Sequence, residues 1–225
     1  YEPSVVHDFD VTTFVSPEDV AAMTGLEPAA RYAVVTNGVD LEKFPFRDDF
    51  EQRSGLLFAG KLDVLANDLM ATMIIRDILP GVHEQLPGTM LTIAGANPGS
   101  SLRSMASPYV RIEADVPHLV SYLHSAAIFV HPHHGGSGIQ NKVLEAMAAG
   151  CPVVTTPSGL QGIEAVHGVH AMVATDAAGM QRHIVTLLRD TDLRRRIAHN
   201  ARQLMERTHT WQVMGQQLDA VLAAY

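Results

Sequence analysis

A glycine-rich segment followed by a cation and an acid is the part of this sequence best suited to chemistry. Glycine and serine fill positions 135–138, and a helical pattern over 140–149 carries Lys142 and Glu145. Glycines allow a sharp turn and a close approach of the backbone to a ligand. The free N–H groups and positive dipole end of the following helix suit a phosphate. Lys142 would add a positive charge, and Glu145 would accept hydrogen bonds from the hydroxyls of a ribose.

The same spacing is compatible with a purely structural role. The glycines could serve only to reverse the chain, with Glu145 on a solvated helix face, because a glycine cluster without a strict repeat is a weak signal. His131, His133 and His134 do not predict a metal site, since adjacent histidines at a strand end rarely converge on one ion. His134 is instead a candidate neighbour of the phosphate, and Cys151 is predicted to fill buried space.

These residues belong to an alternating series of strand-like and helix-like segments. Short apolar runs predict strands at 56–59, 90–94, 109–112, 128–131, 152–155 and 171–173. Helical patterns predict helices at 68–79, 119–125, 140–149, 176–189, 192–207 and 211–223. The strand runs are continuously apolar, so helices are expected to cover both faces of their sheet. The predicted fold class is α/β, a doubly wound, Rossmann-like parallel sheet with C-terminal helices.

Composition and charge exclude several classes of partner. The 225 residues carry a formal net charge of −8, which argues against a surface that binds nucleic acid or an anionic membrane. The longest apolar runs are too short to cross a bilayer, and no signal peptide is recognisable. The single cysteine fits a reducing compartment, so we expect a soluble, cytoplasmic protein. The sequence does not begin with methionine, and we expect it to be a fragment.

The first 36 residues stand apart from this series. They predict a strand over 11–15, a helix capped by Ser16 with Pro17 at its first position, and a second strand that ends at an Asn-Gly turn. By pattern alone they fit the end of a preceding domain as well as the first β-α unit of the same sheet. At the opposite end, Trp211 is predicted to pack the last helix against the core.

Five segments together carry a resemblance to a known family. GIQNKVLEAMAAGCPVVTTPSGLQGI resembles the donor-site segment of the retaining, GT-B-fold glycosyltransferases of family 4, and most closely their exopolysaccharide-associated branch. VVTNGVDLEKF resembles the linker between that family's two domains, and LLFAGKLD resembles its first strand and phosphate loop. ADVPHLVSYLHSAAIFVHP is similar to the base-binding loop and the following strand, and THTWQVMGQQLDAVL to the closing helix. The segments cover nearly the whole chain in the family's order.

The resemblance implies a division into domains. Residues 1–36 would be the end of an N-terminal acceptor domain with its linker, 37–209 the C-terminal donor-binding domain, and 210–225 a helix that packs back toward the acceptor domain. The implied partners are a nucleotide-sugar donor, such as a UDP- or GDP-sugar, and the missing acceptor domain, through which peripheral membrane association would occur. The resemblance requires no metal and no other cofactor, and no nucleic acid is expected.

The resemblance also implies roles for individual residues. Glu145 matches a glutamate that holds the ribose hydroxyls, and Lys61 takes the place of an arginine on the donor diphosphate. We predict these two as catalytic, since negative charge grows on the diphosphate as the glycosidic bond breaks. Val116 lies where backbone groups pair with the base. The predicted donor-binding residues are Gly60, Val116, His134, Gly138, Ile139, Gln140, Asn141, Lys142 and Glu145.

Two positions depart from the family's pattern. Ser137 stands where the family has a glutamate near the donor sugar, and Asn67 stands where it has a lysine after the phosphate loop. The resemblance implies sugar transfer to a hydroxyl acceptor with retention of configuration, in polysaccharide or glycoconjugate synthesis, with the isolated fragment inactive. The departures leave open a non-catalytic module that only binds nucleotide sugars. A nucleotide-sugar epimerase of the same architecture is a third alternative.

Overall fold

The computed structural model describes residues 2–224, which form eight β-strands and ten α-helices. The strands are β1 (Thr12–Phe14), β2 (Tyr32–Val34), β3 (Leu56–Ala59), β4 (Leu91–Gly95), β5 (Val110–Ala114), β6 (Ile128–His131), β7 (Val153–Thr155) and β8 (Met172–Val173). The helices are α1 (Glu2–Val5), α2 (Pro17–Leu26), α3 (Leu65–Met73), α4 (Leu79–Gln85), α5 (Ser100–Arg103), α6 (Leu119–Ser125), α7 (Asn141–Ala148), α8 (Ala177–Arg189), α9 (Thr191–Thr208) and α10 (Trp211–Ala223). All six strands predicted for the main sheet are present; β3 and β6 have the predicted ends, and the ends of the others differ by at most two residues.

Strands β3 to β8 form one parallel sheet in the order β5-β4-β3-β6-β7-β8. The chain starts at the centre, moves outward to β5, and then returns past β3 to add β6, β7 and β8 on the other side. In the register of the central pair, Leu56 lies opposite Ile128. This is the order of dinucleotide-binding folds, and ligands of such sheets bind where the direction of winding reverses. Here that point lies between β3 and β6.

Helices cover both faces of the sheet, which confirms the predicted doubly wound class. Within β3, Leu56 and Phe58 point to one face, where they pack with residues of α3, α4 and α8. Leu57 and Ala59 point to the other face, where they pack with residues of α6, α7 and α9. The alternation follows from the two-residue period of a strand. Because both sets are apolar, the strand reads as one continuous hydrophobic run.

The helix predicted over 68–79 is longer than the pattern indicated. Helix α3 begins at Leu65 and continues through a π-helical segment, Ile74–Ile78, directly into α4. The sequence continues with Pro80, and a proline inside a helix lacks an N–H group and clashes with the preceding turn. In the structure Pro80 falls in the first turn of α4, and Leu79 N–H donates to Ile74 O, five residues back. The wider turn accommodates the proline without ending the helix.

The first unit of the chain forms a separate sheet. Strands β1 and β2 pair in parallel, with Thr12 opposite Tyr32, and neither strand joins the six-stranded sheet. The predicted cap of α2 is present, since Ser16 Oγ accepts a hydrogen bond from Asp19 N–H at 3.1 Å. These strands are therefore not the first strands of the main sheet. Their assignment to an acceptor domain stays a prediction.

Helix α10 contacts the segment that follows β2. The Thr36 N–H donates to Gln217 Oε1 at 2.8 Å. No residue of α10 is buried, and Trp211 is 56% exposed, so the prediction that Trp211 packs the helix against the core is wrong. Trp211 instead lies against Gly38, where a Cβ would come within 2.9 Å of the indole ring. No helix within residues 2–224 is both long enough and apolar enough to cross a membrane.

Candidate functional site

Four of the loops that leave the carboxyl edge of the six-stranded parallel sheet surround the predicted site. They follow β3, β4, β5 and β6 and span 60–64, 96–99, 115–118 and 132–140. The loops after β3 and β6 flank the point at which the winding reverses. Every predicted site residue lies in three of these loops or in the first turns of α7. The fold therefore gathers onto one edge residues that are up to 85 positions apart in the sequence.

The loop after β3 is tied closely to the end of β4. Gly60 N–H donates to Ala94 O at 3.1 Å, and Leu62 N–H donates to Ala96 O at 2.8 Å. Gly95 makes this approach possible, because a Cβ at that position would lie 1.7 Å from the carbonyl oxygen of Gly60. These backbone contacts hold the loop close to β4, and they leave no room for a side chain at position 95.

Lys61 extends from this loop toward solvent. Its side chain is 65% exposed, and Nζ lies 3.8 Å from Asp63 Oδ2. An ion pair this exposed is weak, so the ammonium group can turn to an anionic ligand. Asn67, which replaces the lysine of the family's pattern, donates a hydrogen bond from Nδ2 to Lys61 O at 2.9 Å. Lys61 therefore lies where the winding of the sheet reverses. Asn67 supports the loop and adds no charge.

The loop after β6 is anchored where it leaves the sheet. The carbonyl oxygen of His133 accepts hydrogen bonds from the hydroxyls of Thr156 and Ser158, the latter at 2.8 Å. Beyond this anchor Gly135, Gly136 and Gly138 adopt φ angles of +80°, +105° and +84°. Residues other than glycine rarely adopt such φ angles, so the path of the backbone requires glycine at these three positions.

The N-terminus of α7 is open. No side chain caps it, and within residues 2–224 the backbone N–H groups of 138–142 form no hydrogen bond with the chain. Gln140 has its side-chain Nε2 3.5 Å from Gly138 O, Ile139 is buried, and Ser137 is exposed at the tip of the loop. Unsatisfied N–H groups at a helix start form an anion site. These N–H groups are therefore free to bind an anion, and the phosphate position stays a prediction.

Glu145 lies at a crevice between α7 and the segment after β2. The crevice has a volume of about 350 Å³, and the side chain of Glu145 is 19% exposed. Its Oε2 accepts a hydrogen bond from Lys142 Nζ at 2.7 Å, so the two charges that the sequence placed one turn apart form an ion pair. Asn37 Nδ2 donates to Asn141 Oδ1 at 2.9 Å across the same crevice. The structure therefore does not place Glu145 on a solvated face.

Val116 follows a tight turn at the end of β5. Asp115 adopts φ +52°, and its N–H donates to Gly95 O at 3.0 Å. The side chain of Val116 packs against the cluster that contains α6 and α7. Within the described chain its backbone N–H and carbonyl form no hydrogen bond, so both remain available to a ligand such as a base edge.

The three histidines of the loop occupy different environments. His131 is buried and stacks between Phe58, Phe129 and His133, with centroid separations of 5.7–6.1 Å. Burial, and then the neighbouring His133, lowers the pKa of His131 to about 4. Burial also lowers the pKa of His133, so both rings are neutral at neutral pH. His134 is exposed at the start of the glycine turn, beside a small cavity that α3 also lines.

The residues that complete the crevice at Glu145 were not predicted to be part of the site. They belong to the Asn-Gly turn after β2, which the sequence predicts only as a turn, and to the first residue of α10. The residues that line the crevice are Asn37, Gly38, Val39, Asp40, Lys43, Phe44, Asn141, Leu144, Glu145 and Trp211. In the part of the chain that the structure describes, no three His, Cys, Asp or Glu residues are grouped so that they could hold a metal ion.

The chain is similar in sequence to known glycosyltransferases. Over 218 residues the chain is 28% identical to the phosphatidyl-myo-inositol mannosyltransferase of Mycobacterium leprae. The aligned part is 91% of this chain and 57% of that protein. The chain is 30% identical over 201 residues to the glycogen synthase of Mycobacterium tuberculosis, and the aligned part is 82% of this chain and 46% of that protein. The chain thus spans about half the length of the curated relatives it matches.

The fold has close counterparts among solved structures. HepE of Anabaena, crystallised with UDP and glucose, superposes with a TM-score of 0.82 over 100% of this chain and 66% of its own chain. At 14% sequence identity this likeness establishes the fold alone. The family model of glycosyl transferases group 1 matches residues 53–190, which is more than half of the chain and includes the loops after β3, β5 and β6. The chain belongs to the group 1 glycosyl transferases.

Proposed function

We propose that this chain binds the nucleotide-sugar donor of a retaining glycosyltransferase. The observation that carries the proposal is the open N-terminus of α7, with five free backbone N–H groups over 138–142, beside the loop that bears Lys61. The diphosphate would lie between that helix start and the lysine. The ribose would lie at Glu145, and the base would pair with the backbone of Val116. Membership of the group 1 family supports the same arrangement.

The proposed chemistry uses these groups to stabilise a leaving diphosphate. Negative charge grows on the diphosphate as the bond to the sugar breaks, and the preorganised N–H groups together with Lys61 are placed to stabilise it. The acceptor hydroxyl would come from a second domain of the same protein, and closure of the two domains would exclude water. Transfer would retain the configuration of the sugar, with the leaving phosphate helping to deprotonate the acceptor. The chain by itself would bind the donor weakly and transfer nothing.

The names of the relatives support a hexose as the transferred group. One is a mannosyltransferase that acts on phosphatidyl-myo-inositol, and another is a glycogen synthase. We therefore place the protein in the synthesis of a polysaccharide or glycoconjugate. An acceptor held in a membrane would be engaged by the second domain.

Thermal-shift screening of this chain with UDP, GDP, ADP and their sugars tests the proposal. A ligand that binds only the folded state raises the unfolding midpoint by mass action, so even millimolar affinity produces a shift. We expect one nucleotide family to raise the midpoint. In the Glu145→Ala variant that rise should vanish, because the ribose loses its acceptor while the unliganded fold keeps its core.

Glu84→Ala is the matched control, since Glu84 is an exposed glutamate on α4, away from the four loops. It should leave both the midpoint and the ligand shift unchanged. The proposal is wrong if no nucleotide shifts the midpoint. If Glu145→Ala lowers the unliganded midpoint as much as the liganded one, Glu145 has a structural role.

A non-catalytic nucleotide-sugar-binding module is a second candidate, favoured by two positions. Ser137 is exposed and carries no charge, and the Asn67 side chain is engaged with the backbone. Both replace charged groups of the family's pattern. Incubation of the protein and its acceptor domain with nucleotide sugars, while nucleotide release is followed, separates the two candidates. Release supports transfer, and binding without release supports the module.

A further inference from the structure

We infer that Asn67 positions Lys61 for the donor diphosphate, an inference that rests on the function proposed above. The pattern of the family that the sequence resembles has a lysine at this point. The amide of Asn67 instead turns back from the first turn of α3 and donates from Nδ2 to the carbonyl oxygen of Lys61 at 2.9 Å. Asn67 thus contributes no charge, and its effect on the ligand is exerted through Lys61.

The peptide between Lys61 and Leu62 is held at both of its polar groups. Its carbonyl accepts from Asn67 Nδ2 and from Val64 N–H, the latter at 3.1 Å. Its N–H donates to Ala96 O at 2.8 Å. Three hydrogen bonds therefore fix the plane of one peptide, and that plane sets the direction in which the Lys61 side chain leaves the backbone. Of the three, the bond from Asn67 is the one made by a side chain.

Gly60 and Asn67 fit together as a pair. A Cβ at Gly60 would lie 2.9 Å from Cγ of Asn67 and 3.1 and 3.2 Å from its two terminal atoms. The asparagine side chain therefore occupies the space directly beside the glycine, and a larger residue at position 60 would displace it. This packing restricts the amide to the orientation that reaches the Lys61 carbonyl.

The restriction compensates for a weakness of lysine as a phosphate ligand. Lysine carries a point charge on a flexible stem, unlike arginine with its planar fork. A stem whose base is already oriented loses less freedom when the ammonium binds an anion. The Lys61 side chain is 65% exposed, so this orientation comes from the backbone and not from contacts along the stem.

A double-mutant cycle on UDP binding tests the inference. Asn67→Leu keeps the size of the side chain and removes the donor, and Asn67→Asp places an acceptor against the carbonyl. Each should weaken UDP binding, measured by calorimetry, about fivefold, the effect of one ordinary hydrogen bond. In a Lys61→Met background the same Asn67→Leu substitution should change the affinity less than about twofold, because its effect passes through the lysine. Asn67 is half-buried, so unfolding midpoints should stay close to that of the unsubstituted chain.

Each outcome decides the matter. A fivefold loss that disappears with Lys61→Met supports the positioning role. Equal losses in both backgrounds would show that Asn67 supports the whole loop and would overturn it, as would unchanged UDP affinity in Asn67→Leu. If the unsubstituted chain binds UDP and only the cycle fails, the inference falls and the proposed function stands. If the unsubstituted chain binds none of UDP, GDP and ADP, both fall.

Discussion

The loops after β3 and β6 flank the same point of the sheet but are built in opposite ways. The loop at 60–64 is held by backbone bonds to β4 and by the Asn67 amide, and it offers a side chain, Lys61, to a ligand. The loop at 132–140 is anchored at His133 and then passes through three glycines with positive φ, and it offers backbone N–H groups. The rigid loop after β3 thus presents the charge of a side chain, whereas the loop after β6 presents the backbone dipoles of a helix start.

The largest expected effect comes from Gly95→Ala, at the end of β4, because this residue packs directly against the rigid loop at 60–64. The new Cβ would lie 1.7 Å from the carbonyl oxygen of Gly60, and backbone cannot move aside as a flexible side chain does. We expect the free energy of unfolding to fall by at least about 3 kcal/mol in urea titrations. Gly99→Ala is the control in the following loop, because it has φ −65° and no atom within 4 Å of its Cβ. A similar loss in both variants would contradict the close-approach argument.

A somewhat smaller effect concerns His131, at the base of the loop after β6. Burial lowers the pKa of His131 to about 4 from 6.5, so between these values the unfolded chain binds a proton that the folded chain does not. Stability is therefore complete above pH 6.5 and falls as the pH drops toward 4. At pH 4.5 the loss amounts to about 2–3 kcal/mol.

His131→Phe should remove this part of the pH dependence, since a phenyl ring can stack between Phe58 and Phe129 without titrating. The measurement is the free energy of unfolding at pH 7 and at pH 4.5 for both chains. Histidines that do not contact His131 contribute equally to both, so the difference reports on position 131 and on its stacked neighbour His133. Parallel pH profiles would show that His131 does not titrate in this window.

The smallest expected effect on stability comes from Gly138→Ala in the loop after β6. Its φ is +84°, but the nearest atom to a Cβ is Val15 Cγ2 at an ordinary 3.6 Å. The strain of about 1 kcal/mol would be relieved by a shift of the loop that moves the N–H groups. We expect little change in the unfolding midpoint and about tenfold weaker UDP binding by calorimetry. Gly168→Ala, with φ +74° and open space around it, should have a similar effect on stability and none on binding.

The order of elements and the identity of the two loops could be predicted from the sequence. Continuous apolar strands and glycines before an amphipathic helix are local signals, and Glu145 follows from its spacing along α7. The contacts of Gly95 and Asn67 could not be predicted in this way, because each depends on a strand or loop that is distant in sequence. Trp211 shows the same limit. Its size suggested a core position, whereas the structure uses it against the turn at Gly38.

The pairing of β3 with β6 determines the stage of folding at which the two loops of the candidate site come together. Leu56 lies opposite Ile128, and the strands between them build the other half of the sheet. During synthesis the first loop emerges long before its counterpart, and contacts so far apart in sequence form slowly. The proposed phosphate position is thus assembled only once the second half of the sheet has folded, and a nucleotide bound there would selectively stabilise chains that have completed that step.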